Sequence, residues 1–121
     1  MVYAVWIVSG LLAGVYLFSG ITKARTGYVA SRATQAWVGD VTAGTFRLIA
    51  GVEIVGAVAL ILPAATGVVP VFSTMAAVGF TILQGVAIAV HVNHREYVVL
   101  KVNIALLLLA AFVAIARLAG V

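Results

Sequence analysis

TFRLIAGVEIVGAVALIL, residues 45–62, decides how the rest of the chain is read. Eighteen residues at about 1.5 Å each make a helix of about 27 Å, close to the thickness of a bilayer's hydrocarbon core. The stretch carries an arginine, Arg47, near its start and an acid, Glu53, close to its middle. An ionised carboxylate at that depth costs on the order of several kcal/mol, so intramembrane acids face a bundle interior or a wet cavity and find a partner there. Glu53 is therefore the first candidate for a functional residue.

Composition points the same way. Of 121 residues, 65% are hydrophobic and 8% charged, and the mean hydropathy is +1.28. A soluble domain is nearer a quarter charged, so this is an integral membrane protein. Three further segments are long enough to span, and with the first they give candidate helices at 3–22, 45–62, 71–90 and 99–116. The expected fold is all-α: one domain over residues 1–121, an integral membrane four-helix bundle located in the cell membrane. The first apolar run begins almost at Met1, lacks a basic leader and is followed by its positive charges, so it reads as a spanning helix rather than a cleaved signal.

The connections set an expected orientation. Lys23, Arg25 and Arg32 lie in the first loop, Arg95 and Lys101 in the third connection, and Arg47 at the adjacent membrane edge. The opposite side has an uncharged turn, PAATGVVP (63–70), and only Arg117. The positive-inside rule then puts both termini outside and the two basic connections in the cytoplasm. Pro63 is expected to end the second span and Pro70 to open the third. Tyr3 and Trp6 suit an interfacial belt, and Trp37, Val38 and Val41 a short amphipathic helix on the cytoplasmic face.

The net charge of +4 is explained by these topology signals, with no call for a nucleic-acid partner. Arg25, Arg32 and Arg47 are placed to touch headgroups of membrane lipids. With no cysteine, thiolate nucleophiles and thiolate metal sites are excluded. No pair of histidines lies within the apolar helices to hold a haem. Nothing resembles a phosphate-cradling loop, a zinc-hydrolase motif or a serine nucleophile elbow, and no metal site is expected.

Helical spacing says which polar residues meet. Thr74, Thr81, Gln84, Ile88 and His91 form one stripe of the third span. Glu53 shares its face with Ala50, Gly56, Ala57 and Leu60, small enough in part to admit another backbone. Asn103 lines up with Leu107, Ala110, Ala114 and Arg117. The first span offers Gly10, Gly14, Tyr16, Ser19, Gly20 and Lys23, with Gly10-x-x-x-Gly14 as a packing signal and Lys23 able to snorkel from the membrane edge. Depth along the helices gathers Lys23, Gln84, His91 and Asn103 around a polar pocket in the cytoplasmic half with Glu53 at its floor. Each has a plainer reading. Glu53 paired with Lys23 or Arg47 would fix helix register, Gln84 and Asn103 would bond between helices, and His91 and His94 would be solvated at a helix end. A buried acid with amides nearby binds a proton, a cation or a polar ligand head, and does not identify which.

Ser19-Gly20-Ile21-Thr22-Lys23, closing the first span, resembles the G-x-x-K end of the first helix of DoxX-like membrane proteins. Arg47 to Ala57, RLIAGVEIVGA, followed by Leu60 to Pro63, is similar to that family's glycine-glutamate second helix and its terminal L-x-P turn. Ala89-Val90-His91, the Arg95-Glu96 pair and Asn103 continue the likeness. The resemblance implies a four-helix bundle, in some members linked to quinone reduction, as in thiosulfate:quinone oxidoreductase subunits, or to oxidoreductase complexes that defend against oxidative stress. It carries Lys23, Glu53, His91 and Asn103 over as site residues. Three functions follow as expectations: a redox-associated subunit binding a quinone-like head, with a membrane or soluble redox protein as partner; a non-enzymatic assembly subunit, or a homo-oligomer; and a proton-coupled exporter. Small multidrug transporters are similar in length and helix number, but their glutamate lies on the first helix, where this chain has no acid. Whether the chain is an enzyme does not follow from the resemblance.

Overall fold

A computed structural model of the chain describes residues 1–121. It contains five helices and one 3-10 turn and no strand: α1 (Val2–Thr26), α2 (Tyr28–Thr34), the turn Ala36–Asp40, α3 (Ala43–Thr66), α4 (Val71–Asn93) and α5 (Tyr97–Leu118). The helices α1, α3, α4 and α5 are each long and apolar enough to cross a membrane. They pack as a ring, α1 on α3, α3 on α4, α4 on α5, and α5 back on α1 through a sparser seam. Large apolar side chains such as Ile7, Leu11, Val55, Ile82 and Leu108 are exposed around it, as a lipid-facing surface requires.

Every span outruns the apolar stretch that reveals it, because a nucleated helix gains a hydrogen bond with each added residue, polar or not. Thr42 starts α3, its hydroxyl accepting the Thr45 N–H at 3.1 Å. Pro63 does not end that helix, as its chemistry led one to expect. The chain runs one turn further to Thr66 and stops at Gly67, whose left-handed φ of 74° suits a residue without Cβ. What allows this is Ser73. Pro63 has no N–H to give the Ala59 carbonyl, and Ser73 Oγ donates to that carbonyl instead at 2.9 Å, while accepting the Ala64 N–H at 3.0 Å. Pro70 immediately precedes α4, as expected.

The buried faces of α3 and α5 are the expected ones: Ala50, Glu53, Ala57 and Leu60 on α3, Asn103, Ala110 and Ala114 on α5. On α4 the buried line is Ser73, Ala77, Phe80 and Gln84. The expected stripe through Thr74 and Thr81 lies on its flank, and the Thr81 hydroxyl is spent on its own helix at the Ala77 carbonyl. Gly10 and Gly14 are exposed with nothing near them, so Gly10-x-x-x-Gly14 is no packing contact. The close approaches are elsewhere. A Cβ on Gly20 would fall 2.8 Å from the Ala50 carbonyl oxygen and 2.7 Å from an Ile54 side-chain carbon, and one on Gly56 would fall 2.6 Å from the Phe80 ring. Gly20 thus sets the α1–α3 separation, and Gly56 makes room for a ring that stacks face to face on Tyr16, centroids 3.7 Å apart.

The first loop is a cap. The short amphipathic helix expected around Trp37, Val38 and Val41 is a 3-10 turn, Ala36–Asp40, preceded by α2 and with Val38 fully buried. The cap is fastened by the Tyr28 hydroxyl donating to the Val41 carbonyl at 2.7 Å and by Tyr28 and Trp37 packing on the buried Phe46 ring.

Candidate functional site

A cavity of about 490 Å³ lies inside the bundle at its basic end, lined by α1, α3, α4 and α5 and by cap residues including Trp37 and Asp40. Its lining includes Lys23, Glu53, Gln84, His91 and Asn103, so the structure brings all five sequence candidates together.

Glu53 is buried at 4% exposure. Its partner is Lys23, whose Nζ lies 2.7 Å from Glu53 Oε1 and also donates to Ser19 Oγ at 2.6 Å. Arg47 is exposed and takes no part. Lys23 reaches inward from the membrane edge to the pocket, as expected. Helical Cα–Cβ bonds tilt toward the N-terminus, so a lysine near the C-terminal end of α1 folds back over the preceding turn, which places its ammonium beside Ser19 and level with Glu53. Glycine at position 20 brings α3 close enough for the pair to close: a Cβ there would stand 3.2 Å from the Cβ of Glu53. The paired charges meet most of one another's need for solvent, which an isolated carboxylate at this depth could not do.

The amides are placed differently. Gln84 Nε2 donates to the Tyr16 hydroxyl at 2.6 Å, tying α4 to α1 across the bundle, but Gln84 Oε1 is buried with no partner. The Nδ2 of Asn103 is likewise buried and unpartnered. Neither amide bridges two helices with both of its ends, so the plainer reading of them as interhelical glue accounts for half of Gln84 and none of Asn103 Nδ2. Buried donors and acceptors left open cost about 1–3 kcal/mol each, so both side chains would gain from a partner that could reach them.

At the mouth, His91 Nδ1 lies 3.2 Å from Glu96 Oε1, and His94 pairs with Asp40, joining the α4–α5 connection to the cap. Asp40, Glu53 and Glu96 are the only acids in the chain, and all three line this cavity. Sequence reasoning passed over Asp40, Glu96 and Trp37 as site residues and kept Tyr16 and Ser19 only as members of a helix face. The scarcity of acids was the signal that could have found two of them. No group of histidines and acids here has the arrangement to hold a metal ion. The wall is apolar between its polar points, with Val15, Ile49, Leu83, Val90 and Leu106 among its residues. The arrangement suits a largely apolar molecule with one hydrogen-bonding head.

A family model described as "DoxX-like family" matches residues 7–113 of the chain. No curated protein and no solved structure matches it.

Proposed function

Because the chain belongs to the DoxX-like family of membrane proteins, we propose that its internal cavity binds an apolar molecule with a hydrogen-bonding head, of the quinone class, and that the protein serves as a redox-associated membrane subunit. The observation that carries this reading is a cavity whose lining includes Gln84 and Asn103, each with one amide atom, Oε1 and Nδ2, that has no protein partner, beside 11 hydrophobic residues among its 21. Asn103 donates to a ring carbonyl, and Gln84 accepts from a ring hydroxyl once the head is reduced. The Lys23–Glu53 pair supplies fixed charge and an exchangeable proton beside that head, and His91 with Glu96 connects it to the mouth. The redox partner in this reading is a separate protein meeting the basic end, and with both termini on the opposite side that end is cytoplasmic.

Trp37 lines the cavity and Trp6 lies at the far end of α1, so tryptophan emission reports occupancy. In a Trp6→Phe background in lipid nanodiscs, a short-chain quinone analogue should quench Trp37 saturably, and Asn103→Leu should weaken that binding about tenfold or more, the loss of a buried hydrogen bond and its desolvation. Quenching that rises linearly and is unchanged by Asn103→Leu would contradict the proposal.

A further inference from the structure

A second hollow, of about 520 Å³, lies on the outer face of the α1–α3 seam, bordered by Lys23, Tyr28, Arg47, Ala50, Gly51 and Ile54. We propose that this groove is a binding site for an anionic phospholipid, with the phosphate on Arg47 and an acyl chain lying over Gly51 and Ile54.

Depth and charge carry the argument. Counting about 1.5 Å per residue from the start of α3 at Ala43, Arg47 sits about 6 Å in, Gly51 about 12 Å and Ile54 about 16 Å. The groove therefore begins with a cation at headgroup level and descends along small and apolar residues into the hydrocarbon, the profile of an amphiphile rather than of a free ion. The three carboxylates of the chain are paired with Lys23, His91 and His94, which leaves Arg47 with no acidic partner. Lys23 also borders the groove, but its ammonium is turned to Glu53. Of the two basic residues that border this groove Arg47 is thus the unpaired one, and a planar guanidinium matches a phosphate in two parallel hydrogen bonds. Beneath it Gly51 presents no side chain to the groove. A Cβ built there meets nothing within 4 Å, so the position is open to whatever lies outside the helix.

The test is native mass spectrometry of the full-length protein released from bilayers of equal phosphatidylglycerol and phosphatidylcholine. The wild type should retain one phosphatidylglycerol in preference to phosphatidylcholine. Arg47→Gln should reduce that preference about fivefold, as the loss of one interfacial cation implies. Gly51→Leu, which keeps every charge and fits the open space, should displace the lipid by filling the groove. Thermal midpoints of both variants, matched to the wild type, separate loss of lipid from loss of fold. Retention of phosphatidylcholine equal to phosphatidylglycerol, displacement by millimolar inorganic phosphate, or unchanged retention in Gly51→Leu would each overturn the proposal.

Discussion

The Lys23 ammonium and the Glu53 carboxylate form an ion pair of 2.7 Å between α1 and α3, with 17% and 5% of their side chains exposed. Burial of this kind makes the pair costly to break by halves. Lys23→Met should destabilise the bundle by about 3–5 kcal/mol, because it leaves Glu53 uncompensated. Adding Glu53→Met should recover most of that loss, since two apolar side chains of similar volume need no solvent. Reversible unfolding in mixed micelles measures both. If the double variant is no more stable than Lys23→Met, the pair is not the reason for the loss.

The approach that lets the pair close is set by a single missing methyl group. Gly20→Ala must push aside the Ala50 carbonyl and Ile54, at a cost of about 1–3 kcal/mol for overpacking. Gly14→Ala, on the same helix and facing open space, should be neutral or stabilise by up to about 1 kcal/mol through helix propensity. The same unfolding assay separates them, and equal effects would remove Gly20 from its role.

Ser73 and Pro63 should be energetically coupled. Ser73→Ala leaves the Ala59 carbonyl and the Ala64 N–H without their partner, costing about 1–3 kcal/mol. In a Pro63→Ala background the restored amide satisfies the Ala59 carbonyl within the helix, so the same serine substitution should cost distinctly less. Additive effects in the double-mutant cycle would show that the serine does not stand in for the proline's missing donor.

How far the sequence could be read follows from which interactions are local. Spans announce themselves through runs of apolar residues, and the faces of α3 and α5 through 3.6-residue spacing, so the bundle and the inward position of Glu53 and Asn103 were legible. The end of α3 was not: Pro63 reads as a stop, and the residue that carries the helix past it, Ser73, is ten positions away on another helix. Depth placed Lys23 on the pocket wall as a possible partner for Glu53; its second bond, to Ser19, depends on how the side chain leaves a helix near its C-terminal end, which hydropathy does not register. Gly10 and Gly14 have the spacing of a packing motif but face outward, whereas Gly20, one residue after Ser19, meets α3 only because of where α3 happens to lie. Of the cavity, the inner wall was readable from depth and polarity. The cap was not, since burial of Val38 and the links of Asp40 to His94 and Glu96 to His91 join segments distant in sequence or lying in connections.

If the cavity above the Lys23–Glu53 pair holds a small apolar ligand by its head, that ligand should leave the membrane with the protein. Native mass spectrometry of the protein extracted gently from its own membrane, wild type beside Glu53→Gln and Asn103→Leu, reads its presence. A bound molecule of quinone-like mass is expected in the wild type and reduced or absent in both variants, with Asn103→Leu, which leaves the ion pair intact, still folding and inserting. Wild-type protein that carries no small ligand, and variants that differ from it only in failing to accumulate in the membrane, would contradict the claim and leave Glu53 as a structural acid.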